Sequence, residues 1–235
     1  MNEKLDYLNK YKGYAGPPVE IVSAQDVLEE IPESWTAVFS LGDQRQRIDA
    51  MVAEWVKYVP SDLRRTIYYL SKNIVEIDLI RRKDKLYILY SIKRSKHDKI
   101  TYYEGGNPKD SLECRSSKLA ALWGGLPKGL RLFYEHLHNG FHSYSGKAMG
   151  LNSTQETFVM NEYDWEVIDD LGITDIPIDF ETSFAFFDNG GGGHVVLDLK
   201  HPDVDKAVLW FSSDTPDYNL NFWDIVDEWI VIGFE

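Results

Sequence analysis

The stretch Phe184-Ala185-Phe186-Phe187-Asp188-Asn189-Gly190-Gly191-Gly192-Gly193-His194-Val195-Val196-Leu197-Asp198-Leu199 decides the fold class. Two apolar runs of strand length flank a polar, glycine-rich centre. Asp188-Asn189-Gly190 is a turn signature, because Asn and Gly accept the left-handed backbone that a tight hairpin requires. A phosphate loop would have to lead into a helix N-terminus whose N–H groups face the anion. Here a strand follows the glycines, so they read as a wide hairpin turn. Downstream, His201-Pro202-Asp203 turns the chain and Ala207 to Phe211 forms a third strand, giving a β-meander. After a Ser/Asp/Pro loop, Asn221 caps a helix with Asp224 at its third position, and Phe222, Ile225, Val226, Trp229 and Ile230 make its apolar face.

Upstream, Leu126 to Leu137 reads as a helix, with Pro127 in its first turn and Asn139-Gly140 as its stop. The N-terminal half begins with a polar arm over residues 1–20. Ser23 is a helix cap ahead of Val27, Leu28 and Ile31, and Pro32 is the stop. Trp35 to Leu41 is apolar and rich in strand formers, which predicts a strand. From Asp43 the apolar residues Ile48, Met51, Val52, Trp55, Val56 and Val59 fall at helical spacing. Pro60 ends that helix, and Ser61 can cap the next one, which carries Leu63, Ile67 and Leu70. Residues 74–80, 86–92 and 100–103 then predict a second meander, with Val75, Ile77 and Leu79 on one face of its first strand. The expected fold is α+β. Residues 1–120 form a region of helices and a small antiparallel meander, and residues 121–235 form a domain of an antiparallel β-meander flanked by helices.

The net charge of −13 is unevenly distributed. Residues 126–235 hold 20 Asp and Glu against 5 Lys and Arg, so nearly all of the negative field belongs to the second half. Such a field repels nucleic acid and anionic membrane and attracts basic partners. Residues 61–99 carry 11 Lys and Arg against 5 acids, interleaved with tyrosines. That pattern reads as a solvated face rather than a nucleic-acid surface, given the acidic remainder. One cysteine permits no internal disulfide, the N-terminus lacks a signal-peptide pattern, and no run is long enough to span a bilayer, so the cytoplasm is the expected location.

A search for chemistry leaves little standing. His136 and His138 lie two apart and would point to opposite faces of a helix, and no glutamate completes a zinc-protease pattern near them. They read, with His142, as partly exposed polar residues near a helix cap. Gly140 to Lys147-Ala148 misses the nucleotide-binding motif by one residue of spacing and by a hydroxyl. Cys114, without a neighbouring histidine, reads as an inert thiol. Carboxylate pairs arise by chance in so acidic a segment. The expectation is therefore a chain that is not an enzyme and needs no metal or cofactor. Convergence of His136, His142 or His194 with carboxylates in a pocket is the observation that separates this from a catalytic reading.

Four segments in order resemble the SUKH superfamily. Leu126-Pro127 through Leu130-Arg131-Leu132-Phe133-Tyr134 to Asn139-Gly140 is similar to its opening helix. Phe186 to Leu199 resembles its central glycine-rich hairpin, Ala207-Val208-Leu209-Trp210 the following strand, and Asn221 to Ile230 the closing helix. The resemblance covers about residues 121–235. It implies a non-catalytic α+β binding fold whose bacterial members are typically cytoplasmic immunity proteins that neutralise a cognate polymorphic or contact-dependent toxin, often a nuclease or deaminase. The resemblance and the charge together predict an immunity protein whose partner is a basic toxin domain. Asp188, Asp203, Asp205, Asp214 and Asp217, all on predicted loops, are the candidate contacts. A regulatory or scaffold protein with another cellular partner is the alternative.

Overall fold

The computed structural model describes residues 3–13, 16–113 and 115–235, so the reading of Cys114 lies outside the described residues. In chain order the elements begin with α1 (Glu3–Tyr11), β1 (Glu20–Ile21), α2 (Glu33–Ser40), α3 (Gln44–Tyr58) and α4 (Arg64–Asn73). A first meander follows: β2 (Ile74–Arg82), β3 (Lys85–Lys93) and β4 (Ile100–Gly106). Next come α5 (Lys109–Glu113), α6 (Ser117–Leu122) and α7 (Lys128–Leu132), the last running into a π-turn over Phe133–Leu137. The short strands β5 (Phe141–Ser143), β6 (Gly150–Leu151) and β7 (Phe158–Val159) lead to α8 (Glu166–Asp170). The second meander is β8 (Ser183–Asp188), β9 (Gly193–Asp198), β10 (Lys206–Phe211) and β11 (Asp217–Asn221), closed by α9 (Phe222–Phe234).

The two meanders belong to one antiparallel sheet, in the order β1-β2-β3-β4-β5-β6-β8-β9-β10-β11, with β7 paired to β8. The join is narrow: β4 meets β5 through three pairs, Tyr103↔Ser143, Glu104↔His142 and Gly105↔Phe141, and β5 meets β6 through Phe141↔Leu151 alone. Gly150 makes it possible. A Cβ there would lie 2.0 Å from the Phe141 carbonyl oxygen, so any side chain would push the strands apart. The expected boundary at residue 120 falls inside α6.

Burial explains why the deciding stretch is apolar throughout rather than alternating. Phe184, Phe186, Val195 and Leu197 face the main core, which they share with Trp35, Trp55 and Ile230. Ala185 and Val196 face a second, smaller core with Val208 and Trp210 on the opposite side of the sheet. A sheet covered on both faces needs apolar residues on both. A bulge between Ala185 and Phe187 puts two successive phenylalanines on the main-core face. Asn221 caps α9 as expected, its side chain accepting from the Asp224 N–H at 3.0 Å.

Several elements differ from the sequence reading. Of the expected strand Trp35 to Leu41, Trp35 to Ser40 is helix and Leu41 is its extended C-cap. Trp35 and Val38 are buried one helical turn apart and Trp35 donates to the Leu137 carbonyl, so packing overrides strand propensity. The helix after Ser23 is a single 3₁₀ turn, Ala24–Asp26. The carbonyls of Glu29 and Glu30 are held instead by the Lys109 ammonium and the Asn107 amide, at 2.8 and 2.7 Å. Ser61 caps nothing; α4 begins after Leu63, and its free N–H groups are met by Asp227 from α9. Val75 is 48 % exposed because a bulge between Ile74 and Glu76 shifts the alternation, leaving Ile77 and Leu79 inward. The Ser/Asp/Pro loop contains β11, an edge strand whose polar residues hid its alternation of exposed and half-buried positions.

Candidate functional site

The five aspartates do not form one surface. In a meander successive turns lie at opposite ends. Asp188 and Asp214 sit by the β8–β9 and β10–β11 turns, which touch through Ser212 N–H donating to the Gly192 carbonyl at 3.0 Å. Asp217 is at the same end, but it opens β11 rather than lying in a loop. Asp203 and Asp205 belong to the β9–β10 turn at the other end, where Asp205 approaches Asp62 closely enough to push the Asp62 carboxyl up, after burial itself. Asp188 has a structural task as well. Its Oδ1 accepts from the Gly190 N–H at 2.6 Å, and its Oδ2 lies 3.8 Å from His194 Nδ1.

The densest acidic surface lies elsewhere. Between residues 148 and 199 there are 11 acids and no Lys or Arg. The part between β7 and β8 folds over the small core through half-buried Trp165, Ile168, Ile178 and Phe180, with Trp165 and Phe180 against Trp210. Apolar anchoring inward leaves the polar residues outward. Glu162, Asp164, Glu166, Asp169, Asp170 and Asp175 are all exposed, and none makes an ion pair among the described residues. Tyr163 and Leu171 stand among them at 55 % and 50 % exposure. Unpaired like charges raise the energy of the folded chain, whereas surfaces that serve solubility alone intersperse both signs. The missed signal in the sequence was the unbroken absence of Lys and Arg, which counting charge over a whole half conceals.

The histidines also depart from expectation. His136 is exposed and stacks on Tyr58, but His138 and His142 are buried. His138 sits among Trp35, Trp55, Phe133 and Phe141, its Nε2 is 2.6 Å from the Tyr90 hydroxyl, and burial pushes its pKa down to about 3. It is therefore neutral, and its Nε2 shares a hydrogen bond with the Tyr90 hydroxyl, which also accepts from the Trp55 indole N–H at 3.1 Å. His142 pairs across the strands with Glu104, at 3.8 Å, and its Nε2 is 3.9 Å from Glu156. The pairing of positions 104 and 142 depends on the narrow join, which no local pattern reveals. His142 lines a cavity of about 400 Å³ together with Arg82, Lys83, Asn139, Lys147 and Glu156. The convergence that would favour chemistry thus occurs at His142, but 3.8–3.9 Å exceeds the roughly 2.6–3.2 Å of a working proton relay.

Glu104, whose side chain is fully buried, forms the base of this cluster. Its Oε1 accepts from Arg82 at 2.9 Å and from Lys147 at 2.5 Å, while Oε2 has no partner among the described residues. Arg82 also lies over the Tyr87 ring. Burial pushes the Lys147 ammonium and the His142 imidazole below their ordinary pKa, with Glu104 opposing both shifts. Lys83 and Lys147 have left-handed backbones, φ +59° and +51°. That conformation costs an L-residue about 1–2 kcal/mol and usually selects glycine or asparagine. Among the described residues no three His, Cys, Asp or Glu side chains are placed to hold a metal ion, and no helix is long and apolar enough to cross a membrane.

No protein-family model, curated protein or solved structure matches the chain.

Proposed function

We propose that the chain is an immunity protein that binds and neutralises a basic toxin domain in the cytoplasm, and that it docks through the acidic face between β7 and β8. One observation carries the reading: residues 162–175 hold six exposed carboxylates that make no ion pair among the described residues, together with exposed Tyr163 and half-buried Trp165. Aromatic anchors within a charged surround are the composition of a protein interface. A toxin that acts on nucleic acid presents a cationic cleft, and a complementary field raises the association rate from roughly 10⁵–10⁶ to as much as 10⁸–10⁹ M⁻¹s⁻¹ at low salt. The same field disfavours nucleic acid and anionic membrane as targets. The SUKH resemblance of residues 121–235 supports this class of function, and the separated aspartates of the meander turns become secondary contacts at most.

The test is co-expression with the product of the neighbouring toxin-like gene. Rescue of growth and a complex stable to gel filtration are expected. Capture of a housekeeping protein without rescue would favour the regulatory or scaffold alternative and overturn the immunity assignment.

A further inference from the structure

We propose that the cavity between the β2–β3 turn and the β5–β6 loop is a second site, independent of the acidic face, for a small ligand bearing a phosphate or carboxylate group. Five cations (Lys12, Arg82, Lys83, Lys85 and Lys147) meet there against the carboxylates of Asp84, Asp110, Glu156 and the underlying Glu104, a local reversal of sign in a chain of net charge −13. Two of the cations, Arg82 and Lys147, are fixed in place. Glu104 holds Arg82 and Lys147 from below, and Tyr87 supports the guanidinium plane. One buried carboxylate against two cations leaves a positive charge for a ligand, and guanidinium and ammonium groups together are the usual recognition set for phosphate and carboxylate oxygens.

The backbone gives an independent reason. Two lysines of this one cavity occupy left-handed conformations, one in the two-residue turn between β2 and β3 and one in the loop after β5. Glycine would relax either position, yet both carry a cation that reaches the cavity. Strain kept at residues lining one pocket points to use of those side chains. Among the described residues Lys83 makes no ion pair, so folding of the hairpin does not call on its charge. The volume, about 400 Å³, lies within the range of small-molecule sites and suits a ligand the size of a sugar phosphate or nucleoside monophosphate.

Calorimetric titration of the full chain with inorganic phosphate tests this. Parallel titrations with ribose 5-phosphate, adenosine monophosphate and succinate distinguish phosphate carriers from carboxylates. Saturable binding of at least one of these at a stoichiometry of one is expected, weakened at least threefold in Lys83→Gly and at least tenfold in Lys147→Asn. Lys83→Gly should unfold at the same temperature as the wild type or higher, which keeps its binding loss interpretable. Absence of saturable binding by all four probes would overturn the proposal, as would binding unchanged in Lys83→Gly. Neither outcome bears on the toxin-binding reading, which rests on the opposite charge and a different surface.

Discussion

Replacing Asp227 should reveal how tightly the two halves of the chain depend on each other. This aspartate of α9 is 6 % exposed, and its two oxygens accept from the backbone N–H groups of Arg65 and Thr66 at 2.8 and 2.7 Å. Leu63 stands at the N-cap of α4 and makes no side-chain cap bond, so the first turn of that helix relies on a residue more than 160 positions away. Alanine would leave two N–H groups unmet, at roughly 1–3 kcal/mol each, and remove an anion from a helix N-terminus, worth roughly 0.3–1 kcal/mol. A gap of about 230 Å³ lined by Ser61, Asp62 and Asn221 adjoins the site, and water entering from it recovers part of the loss. The net cost of Asp227→Ala should be about 2–4 kcal/mol, out of a total stability on the order of 5–15 kcal/mol. Asp227→Asn keeps one acceptor and should lose about 1–2 kcal/mol. Urea unfolding followed by tryptophan fluorescence measures both, and the midpoint should fall while the slope stays constant. Alanine within about 0.5 kcal/mol of wild type would refute the reasoning, because water would then replace the carboxylate without loss.

Two further outcomes follow from the core. His138 is neutral in the folded chain, with its pKa near 3. In the unfolded chain it gains a proton below about pH 6.5, so its contribution is intact above that value and is lost as pH falls toward the folded value, by about 2 kcal/mol at pH 5. His138→Gln retains a hydrogen-bonding group for Tyr90 but does not titrate, so its stability should fall less between pH 7 and pH 5; parallel curves from denaturant unfolding would contradict the assignment. Gly233→Ala should gain about 1 kcal/mol in helix propensity but place a Cβ 2.1 Å from the buried Tyr103 hydroxyl and 2.7 Å from Met149 Cβ. Overpacking should win by about 1–3 kcal/mol, seen as a lower Tm, and a raised Tm would show that α9 has room to shift.

The α+β class and the first three strands of the C-terminal meander were legible because β8, β9 and β10 each carry an apolar run between clear turns, whereas β11 is polar. Asn221 and Ser23 were legible as caps for a similar reason: capping is a local contact, and both side chains accept from nearby N–H groups. What remained hidden was non-local. Trp35 to Ser40 is helical because of what it packs against. The strands joining the two meanders are two or three residues long, too short to hold a pattern. Glu104 and His142 face each other only through that join. On the candidate interface, the sequence correctly located the negative charge in the second half, but it assigned the contacts to hairpin turns. The folded chain separates those turns and gathers the densest unpaired carboxylates on the irregular segment covering Trp210.

The central claim, that this face recruits a basic partner, is tested most directly by stopped-flow association with the neighbouring toxin domain as a function of salt. The comparison is wild type against Glu162→Gln, Glu166→Gln, Asp169→Asn and Asp170→Asn combined. Wild-type association should slow at least about tenfold as salt rises from low to near-molar concentration, since screening shortens from roughly 30 Å to 3 Å over that range. The combined variant should start slower by a similar factor and respond weakly to salt. Association that is equally fast in both chains at every salt concentration would contradict the claim.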